Sequence, residues 1–272
     1  MSYRLLAADM DGTLLNDEGV MSSRTQAAIR KIVAAGICFV PATGRAMPNM
    51  EHISTMFEGS EKDLPFILYN GAMVVLHRSR RILFSASLQN QDAKEIYKMG
   101  MEKNLTMRVW SQNRMYFDKD CELAQKYQKK VNFKVEFINS QPDNSIDILA
   151  KQGITKIVWI DDPCQIRDYQ DSIGEHFKGR VNCHTSNPEL LEFVHISASK
   201  AIAMEKIGEH LGIKQEEMVA IGDGYNDLSM LRYAGYSVAM GNAPEDIKAI
   251  CNLVTLSNNE DGVATFIDDF FM

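Results

Sequence analysis

The sequence predicts an α/β chain: a core domain built on a parallel sheet, interrupted by an inserted α+β domain. Three observations predict it. Short apolar runs alternate with amphipathic helices in the first and last thirds, the rhythm of parallel strands joined by crossover helices. The middle third, residues 84–185, reads instead as alternating strands about polar turns, a sign of antiparallel pairing. Charge divides the chain at the same places: the middle stretch holds 15 basic and 14 acidic residues, a net of +1, so with −7 for the whole chain the flanks carry −8. The core is therefore assigned residues 1–83 and 186–272, and the insert residues 84–185. At 272 residues, 45% hydrophobic and 24% charged, the chain has apolar material for two modest packed domains.

The elements follow in order. Leu5 to Ala8 is an apolar run ending at Asp9, suited to a buried strand. Ser22 or Ser23 can cap a helix with Ala28, Ile29, Ile32 and Val33 on one face, closed by Gly36. Ile37 to Val40 reads as a second strand before the turn-like Pro41-Ala42-Thr43-Gly44, and Phe66 to Tyr69 as a third, ending at Asn70-Gly71. In the middle third, Met107 to Ser111 and Arg114 to Asp118 are strands about a Gln112-Asn113 turn. A polar helix near Glu122 to Lys130 follows, then strands at Lys134 to Ile138 and Lys156 to Ile160. Asp161-Asp162 reads as a turn before a helix that starts at Pro163.

In the last third Ala203, Ile207 and Leu211 recur on a helix stopped by Gly212, and Met218 to Ile221 is a strand ending at Gly222-Asp223. Tyr236 to Met240 is one more strand. Beyond it Pro244 occupies a first helical position, with Glu245 and Asp246 where the helix dipole favours negative charge.

Composition excludes several classes of function. A net charge of −7 has the wrong sign for a protein that lives on phosphate backbones, so nucleic acid is not an expected partner. No run approaches the roughly 18 apolar residues of a membrane span, and the start has no basic segment leading into a long apolar one. Cys38, Cys121, Cys164, Cys183 and Cys251 form no CxxC pair and lack zinc-ligand spacing, so they read as reduced thiols of a cytoplasmic protein. The six histidines show no ligand spacing either. Oligomeric state is left open.

The strongest chemical signal is Asp9-Met10-Asp11-Gly12-Thr13. Two carboxylates two residues apart at a buried strand end can face one side, an arrangement that calls for a neutralising cation. Mg²⁺ suits it, because it takes a few carboxylate oxygens and keeps positions for water and phosphate. Four other segments converge on it. Thr43-Gly44, Asn70-Gly71 and Gly222-Asp223-Gly224-Tyr225-Asn226-Asp227 each follow a strand, and parallel strands would bring those ends to one sheet edge, where ligands bind in open α/β folds. Lys200 stands where a helix begins, and its ammonium with the helix amides could hold an anion beside the carboxylates.

These motifs resemble the haloacid dehalogenase-like hydrolases, and among them the Cof-type sugar-phosphate phosphatases with an inserted α/β cap. The matching phrases are DMDGT at Asp9 to Thr13, ATGR at Ala42 to Arg45, NGA at Asn70 to Ala72, SK at Ser199-Lys200, GDGYND at Gly222 to Asp227, and the tail phrases AMGNA and SNNEDGVA. The resemblance spans the whole chain and implies a Rossmann-like core. It implies that Asp9 attacks phosphorus to form an aspartyl-phosphate, and that Asp11 protonates the leaving alcohol and then serves as base. The side chains of Asp9 and Asp223 and the carbonyl of Asp11 would bind Mg²⁺. Thr43, Gly44, Lys200, Asn226 and the Met10 amide would hold the phosphoryl oxygens. Asp227 would support the metal shell or orient Lys200. Arg45 reads either as part of the phosphate site or as a surface arginine. Ala198 and Ala201 depart from the subfamily pattern around the lysine, which raises the question of a shifted Lys200.

The favoured activity is Mg²⁺-dependent hydrolysis of small phosphorylated metabolites, with the cap selecting the leaving group. Phosphomutase or phosphotransferase chemistry would use the same residues. A phosphorylation-dependent signalling module is a third class, disfavoured because such modules are about half this length and lack the second carboxylate. Trp110, Tyr116 and Trp159 are candidate substrate contacts in the cap, or packing residues.

Overall fold

The structure is a computed structural model describing residues 3–50, 53, 63–111, 114–131, 133–139 and 145–271. The expected Gln112-Asn113 turn lies outside the described residues.

The chain opens with β1 (Leu5–Asp9), buried throughout, as continuous apolar runs are in sheets covered on both faces. Helix α1 (Ser23–Ala34) follows, with the Ser22 side chain accepting from the Thr25 amide and Ala28, Ile29, Ile32 and Val33 buried. Next come β2 (Cys38–Ala42), β3 (Pro65–Leu68), β4 (Met73–Leu76) and β5 (Ile82–Ser85). The middle of the chain forms α2 (Asn90–Glu102), β6 (Thr106–Ser111), β7 (Arg114–Phe117), α3 (Glu122–Gln128), β8 (Val135–Phe137) and α4 (Ile146–Gln152). It continues with β9 (Ile154–Ile160), α5 (Pro163–His176), β10 (Val181–Asn187) and β11 (Leu190–His195). The last leg holds α6 (Lys200–Leu211), β12 (Met218–Gly222), α7 (Leu228–Tyr233), β13 (Tyr236–Ala239), α8 (Glu245–Ile250), β14 (Leu253–Val254) and α9 (Gly262–Phe271).

Two compact units result. The first holds Met1–Arg45, Met50–Phe84 and Ser199–Met272, and the second holds Ala46–Asn49 and Ser85–Ala198. The first carries one eight-stranded sheet in the order β14-β13-β12-β1-β2-β3-β4-β5. From β14 through β3 neighbours run parallel, and β4 turns back antiparallel on β3. The C-terminal ends of β13, β12, β1, β2 and β3 therefore share one edge. Beneath them Ala203, Met204 and Ile207 of α6 pack with Leu5, Val40, Ile67 and Met218. Ser199 caps α6 by accepting from the Ile202 amide, and Gly212, left-handed at φ 63°, ends it. Leu211, expected on the packed face, is 38% exposed because the helix stops there.

The second unit carries a six-stranded sheet in the order β10-β11-β9-β6-β7-β8, antiparallel except for the β7–β8 pair. Trp159 and Tyr116 lie in its apolar core, where the Trp159 ring sits 4.8 Å from that of Phe193. Both are packing residues, which corrects their candidacy as substrate contacts. Trp110 is likewise buried, 5.8 Å from the Phe133 ring. Asp162 N-caps α5 through the Cys164 amide, so Asp161-Asp162 is a turn and helix cap.

The expected return to the core after residue 185 also needs correction. β10 and β11 form a hairpin, and β11 pairs with β9, so residues 186–198 belong to the second unit. The run Leu190 to Val194 is apolar apart from Glu192, and nothing local distinguishes it from a core strand. All five cysteines are free thiols, with Cys164 exposed. Among the described residues no helix is long and apolar enough to cross a membrane.

Ile207 has no solvent exposure in the layer under the site-bearing strands. Ile207→Ala should cost about 2–5 kcal/mol, from lost burial and the cavity left behind. Urea unfolding should show this as a lower midpoint at unchanged slope.

Candidate active site

The shared edge brings together most of the expected residues. Asp9 is the last residue of β1, Thr43 follows β2, Asn70 follows β3 and Asp223 follows β12. Lys200 enters from the side as the first residue of α6.

The centre is a buried ion cluster. Lys200 has no solvent exposure, and its Nζ donates to Asp9 Oδ1 and, at 2.6 Å, to Asp227 Oδ1. The other oxygen of Asp227 accepts from the amides of Asp223 and Gly224, each at 3.0 Å. Both oxygens of Asp227 thus carry hydrogen bonds within the protein, one from Lys200 and the other from the turn bearing Asp223. With Ala198 and Ala201 beside it, Lys200 reaches both carboxylates. Burial disfavours its charge, but the Asp227 and Asp9 carboxylates outweigh that and hold its pKa above the ordinary lysine value.

Asp11 is separated from this cluster. Its side chain is 60% exposed and is gripped by Arg45, whose Nε donates to Oδ2 at 3.1 Å while Nη2 meets Oδ1. Arg45 therefore reaches the carboxylate of the DMDGT motif, and does so with the fork geometry suited to it. Its sequence position is compatible with two readings because a guanidinium three residues past a strand end can turn either way. Thr13, which has no role in the sequence reading, donates from Oγ1 to Asp223 Oδ1 at 2.7 Å. Its place in the DMDGT motif is the signal that could have found it.

The remaining expected residues take these places. Thr43 is buried, and its Oγ1 accepts from the Arg45 amide at 3.1 Å. Gly44 stands close to Asn70: a β-carbon on it would lie 2.9 Å from Asn70 Oδ1. The Met10 side chain is fully buried, and its carbonyl accepts from the Leu15 amide at 2.8 Å, curling the loop after β1. Asn226 is exposed in the Tyr225–Asp227 turn, its Oδ1 2.6 Å from where a Gly224 β-carbon would stand.

One stretch of backbone supports the lysine. Tyr69, Asn70 and Gly71 have consecutive positive φ values of 52°, 55° and 96°. This is costly for Tyr69 and sustained only by its surroundings. The turn lets the α6 entry approach so closely that a β-carbon on Gly71 would collide with the Ser199 carbonyl and stand 2.6 Å from the backbone nitrogen of Lys200.

Electrostatics test whether a metal fits. Asp9, Asp223 and Asp227 can each bring a carboxylate oxygen within 4.8 Å of the others. These three carboxylates face a single ammonium, leaving two negative charges uncompensated. Burial above all, with the negative charges of Asp227 and Asp223, raises the pKa of Asp9 well above the aspartate range despite Lys200. Burial also pushes Asp223 up to about 6, against the Thr13 hydrogen bond and with the repulsion of Asp227. A hard divalent cation on oxygen ligands cancels this excess, so the donor set fits Mg²⁺ in charge and chemistry.

A sequence profile of haloacid dehalogenase-like hydrolases matches residues 6–267. The 5-amino-6-(5-phospho-D-ribitylamino)uracil phosphatase YwtE of Bacillus subtilis is 30% identical, over 97% of each chain. Among solved structures, TM0651 from Thermotoga maritima is 30% identical with a TM-score of 0.85, covering 98% of this chain and 97% of its own. A haloacid dehalogenase-like hydrolase from Bacteroides thetaiotaomicron superposes with a TM-score of 0.87 at 28% identity, covering 99% of this chain and 100% of its own.

The raised pKa of Asp223 has a consequence for stability. Between the ordinary aspartate value of 3.8 and about 6, the folded state holds a proton that the unfolded state has released. The metal-free protein should therefore lose stability as pH rises through that window. Measured by Tm in chelator, Asp223→Asn should become more stable relative to wild type as pH rises from 4.5 to 6.5. A constant difference across that range would remove Asp223 as the titrating group.

Proposed function

Because the chain belongs to the haloacid dehalogenase-like hydrolase family, we propose that it is a Mg²⁺-dependent phosphatase of small phosphorylated metabolites, working through an aspartyl-phosphate on Asp9. The observation that carries this reading is the contrast between two carboxylates of one motif. Asp9 is 4% exposed and held by Lys200, whereas the Asp11 side chain is 60% exposed and held by Arg45. A buried, fixed oxygen suits the nucleophile, and a carboxyl in reach of solvent suits the group that exchanges protons.

In this mechanism the Asp9 carboxylate attacks phosphorus as the ester P–O bond breaks, and the leaving alcohol takes a proton from Asp11. Water then attacks the aspartyl-phosphate and gives a proton to Asp11, which frees phosphate and restores Asp9. Lys200 offsets charge on the nucleophile and phosphoryl oxygens. Thr43, the amides of Gly44 and Met10, and Asn226 are assigned to those oxygens. Arg45 keeps Asp11 at the mouth of the site. The side chains of Asp9 and Asp223 and the Asp11 carbonyl would hold Mg²⁺, which supplies the positive charge that leaves Asp9 ionised at neutral pH.

Leaving-group selection is assigned to the inserted unit, which carries none of the motif residues named above. The relative YwtE, a phosphatase of a phosphorylated ribitylaminouracil, supports a small metabolite as substrate. Hydrolysis is favoured over transfer because relatives of this length carry phosphatase in their names.

The test is phosphate release from an aryl phosphate and a panel of phospho-sugars, with Mg²⁺ and with chelator. Release should need the metal and fall at least 10³-fold in Asp9→Asn, roughly the loss when a covalent nucleophile is removed. A second phospho-sugar accumulating in place of inorganic phosphate would convert the assignment to a mutase. Release indifferent to both chelator and Asp9→Asn would overturn it. Arg45→Ala should lower kcat about tenfold, roughly the cost of a loosened general acid, with Mg²⁺ dependence unchanged.

A further inference from the structure

We propose that Asn242 is a positioning residue for phosphoryl transfer: its carboxamide holds the Gly12 carbonyl and so sets the loop that carries Asp11 and Thr13. The inference rests on the phosphatase reading and adds to it a residue outside the catalytic set. Asn242 lies in the loop after β13, at the edge where β13, β12 and β1 are successive neighbours. Its Nδ2 donates to the Gly12 carbonyl at 2.9 Å, and its Oδ1 accepts from the Asn258 amide at 3.0 Å. A carbonyl can only accept and a backbone N–H can only donate, so the carboxamide has one workable orientation. Aspartate would lose the donor, and alanine would lose both ends.

Gly12 needs this hold. Its φ is +80°, and a β-carbon there would collide with the Asp223 carboxylate, so glycine is required and no side chain fixes the peptide plane. On its C-terminal side Thr13 bonds Asp223 Oδ1 at 2.7 Å. On its N-terminal side stands Asp11. The direction of the Gly12 carbonyl therefore governs both where Thr13 meets Asp223 and how Asp11 leaves the strand end.

The far end of Asn242 is anchored as well. Asn258 is buried and donates from Nδ2 to the Leu15 carbonyl and to Asp17 Oδ1, each at 3.1 Å. Asn259 Nδ2 donates to Asp17 Oδ2 at 2.9 Å. The tail phrases AMGNA and SNNEDGVA thus grip the loop after β1 from both sides, with Asn242 joining the grips. Asn242 is itself exposed, so water can replace much of its hydrogen-bond energy. What water cannot replace is the direction it imposes.

The experiment compares wild type, Asp9→Asn, Asn242→Ala and Asn242→Asp as full chains. It reads kcat, KM, Tm in chelator and the Tm rise on adding Mg²⁺. Asn242→Asp keeps the acceptor for the Asn258 amide but cannot donate to Gly12. Both Asn242 variants should lose about tenfold in kcat, the order expected of a small misplacement, with KM within about twofold and Tm in chelator near wild type. Both should also show a smaller Mg²⁺-induced Tm rise, because Asp223 is no longer held by a fixed Thr13. Wild-type kcat in either variant would overturn the proposal, as would a kcat loss that merely follows a fall in Tm. If wild type releases no phosphate, the phosphatase reading fails. The Mg²⁺-induced shift then judges Asn242 alone: equal shifts in wild type and variants overturn its role, and reduced shifts in both uphold it.

Discussion

A lysine ammonium sealed from solvent between two aspartates is the constraint on which the rest of the site depends. Burying one charge costs several kcal/mol, and a buried pair rarely recovers more than it loses in desolvation. Its presence is therefore poorly explained as a stabilising device. It makes sense as a way to fix positions. Lys200 joins Asp9 at the end of β1 to Asp227 after β12, segments separated from it by 191 and 27 residues. The surroundings are arranged around that contact: the Ser199 cap, the bare α-carbon of Gly71 and the amides that occupy the second oxygen of Asp227.

The same cluster explains why two carboxylates two residues apart can behave differently. Asp9 lies inside the sheet edge, where burial above all, and then the like charges of Asp227 and Asp223, oppose its ionisation. Asp11 has left the strand, because Gly12 turns the chain at positive φ and Arg45 draws the carboxylate outward. The difference is made by backbone path and one guanidinium, not by the residue type. It also locates the electrostatic deficit. Arg45 satisfies Asp11, so the uncompensated charge is concentrated on Asp9, Asp223 and Asp227, within the reach of one ion.

Much of this is legible in the sequence, for a reason that has limits. Strands buried on both faces give continuous apolar runs such as Leu5 to Ala8, and their ends are marked by Gly, Asn and Asp where backbone geometry demands them. Parallel order then forces those ends to one edge, so Asp9, Thr43, Asn70 and Asp223 group together from the order of the strands alone. What stays hidden depends on pairing between distant segments. The β10–β11 hairpin looks like core from its own residues, and only its ladder to β9 assigns it to the insert. Arg45, Thr13 and Asn242 act through directional side-chain bonds, and periodicity carries no information about the direction of a side chain. Tyr69 gives no local hint of a left-handed backbone, since an aromatic residue after a strand is ordinarily extended.

The contact of Gly71 with Ser199 and Lys200 has a further meaning for how such a chain can change over time. The inserted segment leaves after β5 and returns at Ser199, and the return point is clasped by a turn that belongs to the core itself. The lysine is thus registered by its host and not by the excursion that precedes it. A guest segment joined between such moorings is free to drift in length, composition and architecture while the reactive centre stays in register. The register of the lysine and the make-up of the insert can then be inherited separately within one polypeptide.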